Sequence, residues 1–231
     1  MDYSVFNRYA LYFLPPADAA LSEFGARWLG WSIDEGREVE LLVDLPDNHA
    51  TITATARNYG FHGTLKPPFR LKNGYHAEQL HHAAAKLVAT LPQFVMPRLE
   101  LTNLHGFLAL RPKNESGELN KTAEKLVCDL DHFRGSPSNA EIQRRRNMGL
   151  TPRQDTLMMH WGYPFVLDEF RFHLTLTNRL PHAEVEAVRK CIQSHLHDQI
   201  LAPQTIDNIG FAGEKDDGTF HLIERLPLAS S

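Results

Sequence analysis

Cysteine is nearly missing from this chain, and what there is forms no pattern. Cys128 and Cys191 make no C-x-x-C pair, so neither a disulfide framework nor a thiolate metal centre is indicated. Both lie in helix-like segments and read as reduced packing residues. Long apolar runs are lacking too. The first, Tyr9 to Leu14, stops at Pro15-Pro16, too short for the apolar region of a secretion signal. Nothing approaches a membrane span, so a cytoplasmic protein with no membrane partner is expected. Basic excess is also missing: a net charge of -4 and a pI near 6.3 give no bulk attraction to long nucleic acid. Neither H-E-x-x-H nor G-x-S-x-G occurs, which removes two common signs of zinc and serine hydrolases. No metal and no cofactor are indicated.

What is present is an ordinary globular composition, 42% hydrophobic and 23% charged over 231 residues. That length allows one sizeable domain or two small lobes on a shared core. Arg8 to Phe13 reads as a strand, and Leu21, Phe24, Trp28 and Leu29 form a helical stripe. From Ile33 to Tyr59 no period stands out. Phe61 to Lys66 alternates, Leu80 to Leu91 is helical, and Arg98 to Pro112 reads as two strands joined near His105-Gly106. The second half repeats this order. Arg171 to Thr177 alternates, Val185 to Leu196 is helical, and a hairpin turns at Asp216-Asp217-Gly218. The reading is an α+β chain forming a single bilobal domain, 1–231. Lobe one covers about 1–113, a helical connector about 114–170 folds over a cleft, and the core of lobe two covers about 171–231.

One phrase occurs in both halves: Phe61-His62-Gly63-Thr64-Leu65 and Phe172-His173-Leu174-Thr175-Leu176. A chain with this composition yields roughly one His-x-Thr by chance, and three occur, because His49-Ala50-Thr51 also fits. That third copy lacks the flanking Phe and Leu and has no counterpart in the other half, so it reads as chance. In the paired copies the i and i+2 side chains share a strand face, roughly 6.5–7 Å apart. Phe and Leu anchor the opposite face. Packing explains them but does not call for His and Thr twice. Two such strands related by a pseudo-twofold would gather two imidazoles and two hydroxyls around one point. One neutral imidazole would take a proton from water, one imidazolium would protonate a leaving oxygen, and the hydroxyls would hold phosphoryl oxygens.

The paired phrases resemble those of the two-histidine (2H) phosphoesterase superfamily, which includes LigT-like RNA cyclic phosphodiesterases. The stretches "RYALYFLPP", "YGFHGTLKPPF", "AEIQRRRNMGLTPRQ" and "WGYPFVLDEFRFHLTLTNRL" are similar to a branch described as phosphonate-metabolism proteins. The resemblance implies duplicated β-α-β-α-β lobes with antiparallel sheets around a central cleft. It also implies metal-independent hydrolysis of a small cyclic phosphate, with His62 and His173 catalytic and Thr64 and Thr175 binding phosphate. A phosphorylated ribose 1,2-cyclic phosphate is the substrate this branch suggests. The alternatives are an RNA-end 2',3'-cyclic phosphodiesterase or ligase, and a nucleotide- or RNA-binding module without catalysis. Further substrate contacts are expected from Lys66 and Arg171, on the faces of His62 and His173. Arg8 and Tyr12 are expected to line the cleft from the first strand, and Arg145, within Arg144 to Arg146, to contribute from the connector. Trp161 and Tyr163 read as packing residues.

Overall fold

The computed structural model describes residues 2–230. β1 (Arg8–Phe13) alternates as its sequence predicts. Tyr9, Leu11 and Phe13 enter the main core, while Ala10 and Tyr12 enter a smaller cluster with Phe220 on the other face. α1 (Ala20–Leu29) buries the stripe Leu21, Phe24, Trp28 and Leu29. A short hairpin of β2 (Trp31–Ser32) and β3 (Arg37–Glu38) follows.

The segment without a visible period contains α2 (His49–Tyr59), which buries His49, Ile52, Thr53 and Ala56. Its β-branched residues disfavour helix, and tertiary packing overrides them. His-x-Thr at His49 therefore sits in the first turn of a helix. The His49 ring stands edge-on to Trp28, 5.0 Å between centroids.

β4 (Gly63–Phe69), α3 (Ala77–Val88) and β5 (Phe94–Met96) lead to the hairpin of β6 (Leu99–Leu104) and β7 (Phe107–Pro112). The connector holds α4 (Gly117–Asp129), α5 (Asn139–Arg146) and α6 (Pro152–Trp161). Val127, Leu157 and Val166 dock it, with Trp161 and Tyr163 packed against them. β8 (Leu174–Thr175) keeps only two residues of its alternating segment. α7 (His182–His195), α8 (Asp198–Leu201), β9 (Gln204–Ile206) and the hairpin of β10 (Asn208–Glu214) and β11 (Phe220–Pro227) complete the chain. No helix among the described residues is long and apolar enough to cross a membrane.

The main sheet has seven strands in the order β11-β10-β1-β4-β8-β7-β6, with antiparallel neighbours throughout. The hairpins are exchanged between the halves. β7 pairs with β8 of the second half, and β10 pairs with β1 of the first. The halves of the sequence, 1–113 and 171–231, are therefore interleaved in space. β4 and β8, which carry the repeated phrase, become central neighbours.

Candidate active site

β4 and β8 meet at Gly63↔Leu174. In an antiparallel pair this register sets His62 opposite Thr175 and Thr64 opposite His173. All four then share one sheet face, while Phe61, Leu65, Phe172, Leu174 and Leu176 are buried in the main core. The two histidines take diagonal positions, about 7–8 Å apart in such a pair. Gly63 makes the close approach possible. A Cβ there would lie 2.2 Å from the Phe172 ring, so the missing side chain lets the second phrase's Phe pack beneath the first phrase.

Both imidazoles are oriented in the same way. His62 Nδ1–H donates to Gly60 O at 2.9 Å, and His173 Nδ1–H donates to Arg171 O at 2.7 Å. A carbonyl only accepts, so Nδ1 carries the proton and Nε2 is left for chemistry. Thr64 Oγ1 lies 3.1 Å from His62 Nε2. Gly60 adopts φ 70°, where a Cβ would meet Ile33 at 2.7 Å; only glycine turns that carbonyl toward His62.

Burial dominates the electrostatics. It lowers the His62 pKa to about 4 against the pull of the Gly60 carbonyl, with His173 adding repulsion. His173 is also lowered, first by burial and then by the positive Arg111, against the hydrogen bond to Arg171. Burial therefore favours the neutral form of both rings.

A cavity of about 570 Å³ reaches Thr64 and His173, while His62 and Thr175 are set back from its lining. Thr64, His173, Arg171, Arg111, Arg179 and His105 supply its polar wall, and Phe107, Met148, Phe165 and Phe170 supply an apolar one. Arg111 was not legible in the sequence. β7 pairs with β8 at Leu110↔Leu174 and Ala109↔Thr175, which sets Arg111 opposite His173. Its buried Nε has no partner among the described residues. Arg179 reaches the same wall from the segment after β8. Alternation along either strand was visible, but the cross-strand neighbour requires the topology.

The other expected contacts divide. Arg171 lines the cavity, with its guanidinium donating to the carbonyls of Asp168 and Phe170. Tyr12 does not line the cleft as expected. It is fully buried beneath His62, 3.9 Å between ring centroids, with no partner for its hydroxyl among the described residues. Lys66 departs from the face of His62, because β4 gains an extra residue on each side of the pair Leu11↔Lys66 and the bulges re-aim the side chain. It lines a separate small cavity together with Arg8 and Arg145. Arg8 is paired with Glu214. Among the described residues no three His, Cys, Asp or Glu side chains come together as metal ligands.

Among known proteins, the chain is 35% identical over 96% of its length to "Ribose 1,5-bisphosphate phosphokinase PhnN" of Janthinobacterium sp. (strain Marseille). It is 28% identical over 95% of its length to the protein of the same name from Laribacter hongkongensis (strain HLHK9). The chain spans about half, 51%, of each of these curated relatives. Solved structures similar to it include E. coli LigT with phosphate, at 12% identity and TM-score 0.48, covering 98% of this chain and 99% of that one. E. coli LigT with 3'-AMP is similar at 13% identity and TM-score 0.46, covering 96% and 98%. Residues 64–221 match the model of the family described as "Protein of unknown function (DUF1045)", and the chain belongs to that family.

Proposed function

We propose that this chain is a metal-independent phosphodiesterase that opens a small cyclic phosphodiester. The observation that carries the reading is the Gly63↔Leu174 pairing, which gathers two Nε2 atoms and two threonine hydroxyls on one sheet face. A phosphodiester has two non-bridging oxygens for hydroxyl donors and two sites where protons move. The array offers a partner for each.

In this mechanism water attacks phosphorus and His62 Nε2 takes the water's proton. His62 is the base because burial keeps it neutral down to about pH 4. The bond from phosphorus to one ring oxygen breaks, and His173 Nε2–H protonates that oxygen. The product is a phosphomonoester with one free hydroxyl. His173 acquires its proton with the substrate, since a bound anion opposes the cost of burying an imidazolium. Thr64 and Thr175 hold the non-bridging oxygens, and Arg111 faces the charge that grows there.

For the substrate we infer a phosphorylated ribose 1,2-cyclic phosphate in phosphonate degradation. The relatives' name, which refers to ribose 1,5-bisphosphate, supports a phosphorylated ribose. Their kinase activity is not transferred, since this chain has no G-x-x-x-x-G-K-[ST] phosphate loop. A nucleoside 2',3'-cyclic phosphate or an RNA end is the second reading, favoured by the apolar wall of Phe107, Met148, Phe165 and Phe170, on which a base could stack. We place the protein in the cytoplasm, acting on small molecules. Turnover of both diester classes in EDTA tests the reading. Tight binding without turnover would leave only a binding module.

A further inference from the structure

Lys66 is 2% exposed, which is unusual for a lysine without a carboxylate partner. Its Nζ donates one proton to Val127 O at 2.9 Å and lies 5.0 Å from the Phe69 ring centroid. An ammonium has three donors, and the other two have no acceptor among the described residues. Burial lowers its pKa to about 8, a cost that the fold carries with no visible return.

The surroundings add to this charge. Lys66 lines a cavity of about 60 Å³ with Arg8, Arg70, Arg134, Arg144 and Arg145, against the single carboxylate of Glu141. Arg8 and Arg134 are committed to Glu214 and Asp131. Glu141 is committed to capping α5 at Ser138. Lys66, Arg70, Arg144 and Arg145 are left without a carboxylate ion pair among the described residues. Arg145 is held 4.5 Å over the Tyr163 ring, so it is positioned rather than free in solvent. The volume suits one tetrahedral anion.

This cavity adjoins the histidine cavity, and Pro67 and Tyr163 belong to both walls. Along β4, Thr64 and Lys66 to Pro67 are two or three residues apart, about 7–10 Å at the strand rise. That is the scale of a pentose carrying phosphate groups at opposite ends.

We propose that the Lys66 cavity binds a phosphomonoester dianion at the far end of the substrate whose cyclic diester lies at His62 and His173. The proposal rests on the reading of function above and adds the subsite that holds the free phosphate of a sugar whose other phosphate is cyclised. Lys66 anchors the free phosphate, Arg144 and Arg145 close on it from α5, and Tyr163 separates the two subsites.

The test compares ribose 5-phosphate 1,2-cyclic phosphate with ribose 1,2-cyclic phosphate, for the full chain and for Lys66→Met. The parent should prefer the doubly phosphorylated diester, and Lys66→Met should lose about 10- to 100-fold of that preference, the worth of a charge-assisted contact. No preference in the parent, or an equal loss on both diesters in the variant, overturns the proposal. Should Lys66→Met fail to fold, Arg144→Gln/Arg145→Gln is the second variant; α5 buries no residue, and the same loss of preference is expected. If neither diester is hydrolysed, the functional reading fails, and calorimetry with ribose 5-phosphate decides on the cavity alone. Binding to the parent that weakens by about 10-fold or more in the variants supports the site; equal or absent binding overturns it.

Discussion

His62 and His173 lie diagonally across the β4–β8 pairing, each with Nδ1 bonded to the carbonyl two residues before it. Two phrases far apart in the chain thus present equivalent nitrogens to one side of one sheet. Duplicated sequence becomes a pair of like-oriented imidazoles through a single register.

The first prediction concerns the three histidine phrases. His62→Gln and His173→Gln should each lower kcat by roughly 10²–10⁴-fold, the range for losing a positioned general acid or base. The double variant should lose far less than the product of the two, because the pair acts as a unit. His49→Ala should keep turnover per folded molecule within a few-fold while lowering Tm, because His49 packs on Trp28. Loss of turnover in His49→Ala equal to that in His62→Gln would show that the wrong pair has been chosen.

A second prediction follows from burial. For kcat/KM, which reports the free protein, the acid limb belongs to His62 at about 4. The alkaline limb belongs to His173, held below its ordinary 6.5. The bell should therefore peak on the acid side of neutral. In kcat the alkaline limb should move to higher pH, because bound diester stabilises the imidazolium. Coincident profiles for kcat and kcat/KM would contradict this.

The third prediction tests the close packing under the phrases. Gly63→Ala forces Phe172 to move from a 2.2 Å contact and should destabilise the fold by about 1–3 kcal/mol, the usual cost of overpacking. Turnover should fall as the two strands part. Adding Phe172→Leu should recover much of the stability in thermal unfolding. A Gly63→Ala protein with unchanged Tm and turnover would show that the contact is not tight.

The fourth concerns Arg111. Arg111→Met removes the charge opposing protonation of His173, so the alkaline limb of kcat/KM should shift upward. The maximal rate should fall by roughly 10–10³-fold as charge stabilisation is lost. A lower rate with an unmoved limb would place Arg111 away from His173.

Much of the scaffold was legible because its signals are local. Alternation in Arg8 to Phe13, the stripe in α1 and the turns at His105-Gly106 and Asp216-Asp217-Gly218 all fold as read. α2 was not legible, because Ile52, Thr53 and Thr55 carry strand-like propensity and only contact with the core makes a helix there. Both histidine phrases could be found by repetition. Lys66 could not be placed, because alternation assumes a regular strand and β4 is bulged on both sides of Lys66. Arg111 carries no signal in its own strand; it matters only because β7 lies against β8.

The most direct measurement follows phosphorus NMR of ribose 5-phosphate 1,2-cyclic phosphate with the purified protein in EDTA, beside His62→Gln and His173→Gln. The account predicts that the cyclic diester signal gives way to a phosphomonoester with the parent and persists with either variant. Turnover that EDTA abolishes and added zinc or manganese restores, or turnover that survives in both variants, would contradict it.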